Sequence, residues 1–475
     1  MMEEKKEEKT LAEQLSEKLM IRRKNGFMRV TDEVIDTADA FCEGYKSFLD
    51  AAKTEREAVK TTVQMAQEAG FTEFDPAKTY APGDKVYYNN REKALILAVI
   101  GKEGCKNGVR ISAAHIDAPR LDLKPIPLYE TSDLVLLKTH YYGGIKKYQW
   151  TATPLSMHGR IVRRDGKRID VCIGEQPGEP QFCITDLLPH LSQEQSQKTL
   201  GKAITGEDLN VLTGSRPIRT DCGEMLFKLN ILKLLNEKYG IVEEDLMSAE
   251  IEFVPAVKAV DIGLDRSMIG AYGHDDRVCA YPAIRAILDC GVPEQTVLTV
   301  LADKEETGSD GNTGLNSSFM RYFIADLAQA EGLEVRHVLS KSKCLSADVT
   351  AAYDPTYASA YEAGNACYVN NGVGMSKYTG ARGKSGTSDA SAEFVGEIRA
   401  LFDKNEVLWQ IGEMGRVDLG GGGTVALYVA NLDVDVVDVG VPVLSMHAPF
   451  EVVSKLDVYM AYKAVKVFFS DAPQA

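Results

Sequence analysis

The sequence predicts an α/β fold: one domain layered by helices and interrupted by a β-rich insertion. Three observations carry this. Apolar residues recur at helical spacing over residues 11–70. Strand-like runs alternate with helical stretches from about residue 250 to the end, which implies a sheet layered by helices. Between these regions the chain is rich in β-branched and aromatic residues and turn signals. The expected division is 1–118 and 256–475 for the layered domain and 119–255 for the insertion. A length of 475 residues allows large cores without disulfide staples.

The elements follow in order. The start, MMEEKKEEKTLAEQLSEKLM, reads as a solvated helix, with Leu11, Leu15, Leu19 and Met20 at helical spacing. Val34, Ala38, Phe41, Tyr45 and Phe48 mark a second helix. KALILAVIG and GVRISAAHID read as buried strands. In the insertion, Asp165-Gly166 between two alternating runs predicts a hairpin. A helix follows at about 223–237, with Met225, Leu226, Leu229, Leu232 and Leu235 as its core stripe. EIEFVPA and TVLTVLA read as strands. VCAYPAIRAIL, which must accommodate Pro282, and SSFMRYFIADLAQA read as helices. ALYVA, VDVVDVG and a last helix over about 451–469 complete the pattern.

Composition narrows the function. Lys and Arg number 54 against 69 Asp and Glu, a net charge of −15. That argues against nucleic acid as a partner, because phosphate binding needs a basic surface. It argues equally against a polybasic membrane anchor. No apolar run reaches the ~20 residues of a membrane span. Nine cysteines without CxxC spacing fit free thiols in a reducing cytoplasm. Gly383-Lys384-Ser385 ends like a phosphate-binding loop, but Tyr378 stands where the first glycine belongs. There is no GxSxG elbow and no HExxH helix.

Chemistry concentrates in five segments, where His and carboxylates lie at or beside the ends of strands. In α/β sheets ligands bind at the carboxyl ends of strands. His115 and Asp117 in SAAHIDAPRLDLKP point to one face of an extended chain. GAYGHDDRVCA places His274, Asp275 and Asp276 ahead of a helix, where helix capping is the simpler role. VLADKEETGSDG runs a hydrophobic strand into Asp303, Glu305 and Glu306. KCLSADVTAA carries Asp348, and VPVLSMHAPFE ends a strand near His447. Singly, each has an ordinary structural explanation. Together they offer nitrogen and oxygen donors suited to zinc or a neighbouring divalent metal. Five such side chains with one bridging Asp suffice for two metals.

The order HIDAPRLDLKP, HDDRVCA, DKEETGS, SADVTAAYDP and MHAPFEV resembles the aspartyl-aminopeptidase family of binuclear metallo-aminopeptidases across nearly the whole chain. The resemblance implies a zinc-peptidase-like mixed sheet with helices on both faces and an insertion that serves as a dimerisation domain. It implies two divalent ions per subunit, zinc first, with cobalt or manganese as alternatives. His115 and Asp348 would hold one ion, Glu306 and His447 the other, and Asp275 would bridge them. Glu305 would be the general base, and Asp117 would orient the His115 side. The Asp275–Asp276 peptide would be cis. Dimers would assemble into a tetrahedral dodecamer, with His190 of one chain reaching a neighbouring site to stabilise the tetrahedral intermediate. Lys377 would lend positive charge to a side-chain pocket, and the run around Gly422 would let backbone approach substrate. His140, His158, His274 and His337 are read as structural. Asp276, KYTGARGKSGTSDASAE and DLGGGGTVA depart from the family pattern, so acidic-substrate preference is not carried over. The expected activity is removal of the N-terminal residue from short peptides. A deacylase, a carboxypeptidase and a non-catalytic assembly protein are the alternatives.

Overall fold

The structure, a computed structural model, describes residues 9–21, 23–220 and 222–471. The first eight residues of the expected N-terminal helix therefore lie outside it. A nine-stranded mixed sheet forms the centre. Its four middle strands, Val297–Ala302, Arg110–His115, Lys343–Ser346 and Asp435–Gly440, run parallel side by side. Their registry aligns Ala302 with His115, so the carboxyl ends of neighbouring strands finish level.

These strands are almost wholly buried and mostly apolar, as a sheet covered on both faces requires. The two-residue period then sorts the side chains. Leu95, Leu97 and Val99 enter one core, with Tyr45, Phe48 and Phe468 from helices Asp32–Ala51 and Lys455–Ser470. Ala94, Ile96 and Ala98 enter the opposite core, with Phe323 and Ile324 from helix Phe319–Ala330. The fold is thus a mixed α/β sheet with helices on both faces. Helix Glu55–Glu68 starts with a capping box, Thr54 accepting the Glu57 N–H at 3.3 Å and the Glu57 carboxylate accepting the Thr54 N–H at 3.2 Å.

Residues 120–255 build a separate antiparallel sheet of six strands with its own core around Trp150, Phe253 and Leu155. The Asp165-Gly166 turn joins strands Leu155–Val162 and Arg168–Ile173, with Gly166 at φ 81° and the Lys167 N–H donating to Asp165. A third sheet of five short strands includes Met268–Ala271, Glu451–Ser454 and Pro442–Leu444. Among the described residues, no helix is long and apolar enough to cross a membrane.

Helix Leu11–Leu19 forms on a Thr10 capping box and buries no residue, the solvated helix that the sequence predicts. Other sequence expectations need correction. The insertion helix begins at Leu226, not 223, and Met225 and Leu229 are exposed. Leu232 and Leu235 of the expected stripe do pack on the insertion core, and Phe227 and Ile231 join them there. ALYVA forms a short helix, Ala426–Ala430, and the last helix starts at Lys455 because Glu451–Ser454 is a strand.

Leu301 is fully buried in the middle of the central sheet. Leu301→Ala should lower the unfolding free energy by about 2–5 kcal/mol, since the close-packed layers only partly collapse into the void. Urea unfolding followed by circular dichroism measures this.

Candidate metal centre

Three of the parallel strands deliver four of the expected residues to one edge. His115 ends strand Arg110–His115. Asp348 lies two residues beyond strand Lys343–Ser346. Glu305 and Glu306 follow strand Val297–Ala302 in a single helical turn, entered through Lys304 in the left-handed region at φ 67°. Asp275 comes from the opening of helix His274–Leu288, immediately before a cis Asp275–Asp276 peptide. His447 comes from the loop between strands Pro442–Leu444 and Glu451–Ser454 of the third sheet.

Five side chains converge in two groups that share one member. His115, Asp275 and Asp348 bring one donor atom each within 4.8 Å of one another, and so do Asp275, Glu306 and His447. Asp275 Oδ1 is 3.1 Å from His115 Nε2, and its Oδ2 is 3.2 Å from His447 Nε2. Asp348 Oδ1 is 3.7 Å from His115 Nε2, and Glu306 Oε2 is 3.8 Å from His447 Nε2. Glu305 stands beside the first group, with Oε2 at 3.9 Å from His115 Nε2.

The tautomers follow from the other ring nitrogens. His115 Nδ1 is 3.0 Å from the Asp117 carbonyl oxygen, and His447 Nδ1 is 2.7 Å from the Gly144 carbonyl oxygen. A carbonyl only accepts, so Nδ1 carries the proton and donates in both rings. Each Nε2 then aims a lone pair at carboxylate oxygens that also carry lone pairs. Such a contact is favourable only with a cation between the two: a proton or a metal. One further atom waits for a partner, since Glu306 Oε1 is buried without a hydrogen bond. The donor set therefore fits divalent metal.

The electrostatics agree. Burial pushes Glu305 up to about 7, against the pull of His115. Burial also raises Glu306 and Asp348 well above the usual carboxylate range, assisted by the charges of Asp275 and Glu305 respectively. Burial works against charge on His447, yet its contacts with Asp275 and Glu306 carry it up to about 10. The protein alone leaves this site short of positive charge.

Two carboxylates brace the donors. The Asp117 carboxylate accepts the N–H groups of Glu305 and Glu306, both at 3.2 Å, and the Tyr142 hydroxyl at 2.8 Å. It thereby fixes the Glu305–Glu306 turn as well as flanking His115. Glu451 accepts the N–H of His447 at 2.6 Å and of Asp275 at 3.1 Å. Gly143 has φ 75°, and a Cβ there would sit 3.0 Å from Glu306 Oε2, so the backbone passes close to the cluster. Tyr142, Gly144 and Glu451 were not singled out in the sequence. Glu451 had a signal, standing in MHAPFEV four residues after His447, whereas Gly144 acts through a carbonyl that no side chain announces.

The remaining expected residues lie elsewhere. His190 sits exposed on the turn Pro189–Leu191 and is absent from both donor groups. Lys377 is partly exposed, with its ammonium 3.8 Å from Asp389. Gly422 accepts the Gly380 N–H at 2.6 Å, which ties the two glycine-bearing loops together.

Known proteins resemble the chain over almost its whole length. The M18 peptidase family, described as aminopeptidase I zinc metalloprotease, matches residues 48–469. A probable M18 family aminopeptidase 1 of Clostridium acetobutylicum is 46% identical over 461 residues, covering 95% of this chain and 99% of the relative. The crystal structure of an M18 family aminopeptidase from Thermotoga maritima superposes with a TM-score of 0.90 at 41% identity, covering 95% and 99% of the two chains. The mApe1 dodecamer of S. cerevisiae shares the fold, with a TM-score of 0.74 at 19% identity over 91% of this chain and 97% of that one. The chain belongs to the M18 family of zinc metallopeptidases and is a metallo-aminopeptidase.

Proposed function

We propose that the chain removes the N-terminal residue of short peptides at a binuclear metal centre. The observation that carries this is the Asp275 carboxylate, whose two oxygens face different histidines at 3.1 and 3.2 Å. His115 and Asp348 hold one ion, Glu306 and His447 the other, and Asp275 bridges them. Zinc is the first choice, consistent with the family description, and cobalt or manganese suits the same donors. Divalent metal supplies Lewis-acid polarisation of the scissile carbonyl and lowers the pKa of water to about 7.

Glu305 is the general base. It lies beside the donor groups without belonging to either. It takes a proton from the attacking water and passes it to the leaving amine nitrogen. Asp117 holds the Glu305 backbone in place during both transfers. The surrounding carboxylate excess favours a cationic α-ammonium group, which restricts cleavage to a free N-terminus. Lys377 and the Gly422 loop contribute to the side-chain pocket.

The insertion makes the dimer contact, and dimers assemble into a tetrahedral dodecamer, as the yeast relative's description as a dodecamer supports. Leu187, Leu188 and Leu191 are exposed around His190, an apolar patch that a second chain would cover. His190 would then reach the neighbour's site and steady the tetrahedral oxyanion. Free thiols at all nine cysteines support a reducing cytoplasmic setting.

Three measurements test this reading. Glu305→Gln should lower kcat by about 100- to 10,000-fold while elemental analysis finds unchanged metal per chain; full activity would remove Glu305 from the chemistry. Glu451→Ala should weaken metal retention by about 10- to 100-fold, read by competition against a chelator. N-acetylated peptides should resist hydrolysis while their free counterparts are cut; release of acetate would favour a deacylase, and loss of the last residue a carboxypeptidase.

A further inference from the structure

A second set of mixed donors lies where helix Glu55–Glu68 meets the insertion hairpin. His158 and Cys172 are register partners on strands Leu155–Val162 and Arg168–Ile173. Directly opposed residues on antiparallel strands project to the same face. Glu57 reaches them from the helix. The three residues bring one donor atom each within 4.8 Å of one another.

The carboxylate and the imidazole are already oriented. Glu57 divides its two oxygens: Oε2 accepts the Lys53 and Thr54 N–H groups at 3.1 and 3.2 Å, and Oε1 lies 2.8 Å from His158 Nδ1. His158 is nearly fully buried, with Nε2 at 3.2 Å from Glu175 Oε1 and 3.0 Å from Ser156 Oγ. Glu175 is in turn held by Lys53 at 3.0 Å and Lys258 at 2.9 Å. A ring nitrogen aimed at a ligand, with its opposite nitrogen on an anchored carboxylate, is how metal-bound imidazoles are supported. Cys172 is an exposed free thiol on the wall of a cleft of about 400 Å³, which gives an ion and its water a path in.

We propose that Glu57, His158 and Cys172 form a second, non-catalytic zinc site that clips the insertion sheet to helix Glu55–Glu68. Thiolate, imidazole and carboxylate donors suit zinc, with water completing a tetrahedron, and bonds of about 2.0–2.3 Å draw the three donors inward. Sulfur discriminates against magnesium and calcium. Binding is redox-neutral. The zinc–sulfur bond replaces the Cys172 S–H bond, the zinc–nitrogen bond replaces any proton on His158 Nδ1, and the displaced protons go to solvent. Without the ion, the same ring links Glu57 to Glu175. The site is independent of the aminopeptidase reading, because its residues are distinct from the catalytic donors.

The test uses the full chain loaded with cobalt. The catalytic donors contain no sulfur, so a thiolate-to-cobalt charge-transfer band reports only a cysteine-bound ion. The wild type should show the band and carry one more metal per chain than Cys172→Ser. That variant should lose the band while cleaving aminoacyl-anilides at the wild-type rate. Glu57→Gln, which keeps the helix cap, should weaken zinc binding at this site at least about tenfold. Equal metal content and equal spectra in the wild type and Cys172→Ser would overturn the proposal. So would loss of the band in Cys222→Ser instead.

Discussion

One electrostatic constraint organises this molecule. Asp275, Glu306 and Asp348 turn carboxylate oxygens into the same small buried volume as the Nε2 lone pairs of His115 and His447. A low-dielectric interior does not tolerate uncompensated negative charge or unpaired lone pairs at this density. A divalent cation held there would turn each of those repulsions into a bond. The cluster is costly for the protein alone, and its persistence depends on rigid support from outside.

That support comes from all three sheets. The central sheet aligns His115 with Ala302, and so brings the Glu305–Glu306 turn level with the first imidazole. Strand Glu451–Ser454 of the third sheet supplies Glu451, which holds Asp275 and His447 by their backbone N–H groups. The insertion supplies the Tyr142 hydroxyl to Asp117 and the Gly144 carbonyl to His447. The insertion is therefore part of the site's scaffold within its own chain, whatever it contributes to assembly.

The seam between insertion and central sheet is correspondingly polar and buried. Glu55, fully buried, faces Arg120 at 3.4 Å and Lys93 at 3.4 Å, while Lys53 donates to the carbonyls of Pro255 and Val257, both at 2.8 Å. Buried ion pairs add little net stability once desolvation is counted, but they tolerate few alternative alignments. Arg120 also stacks on the Tyr142 ring at 3.9 Å, which links this seam to the hydroxyl that the Asp117 carboxylate accepts.

Much of this was legible in the sequence, for reasons that also mark its limits. Apolar runs such as ALILAV announced buried strands because a doubly covered strand has no polar face. His115, Glu305, Glu306 and Asp348 stood out because ligand sites gather at the carboxyl ends of parallel strands. Periodicity identified the stripes at Leu11–Leu19 and Met225–Leu235 but not what covers them: the first is bare, and the second packs only in part. The sequence by itself determined which residue types were available and which stretches formed strands and helices, because those follow from local spacing. Only the tertiary structure decided that Asp275 stands between two histidines and that Glu451 and the Gly144 carbonyl brace them. It likewise decided that His158 and Cys172 face Glu57. Apart from the contact of Glu451 with His447, these relations join residues more than a hundred positions apart, and such distances are closed by packing rather than by local pattern.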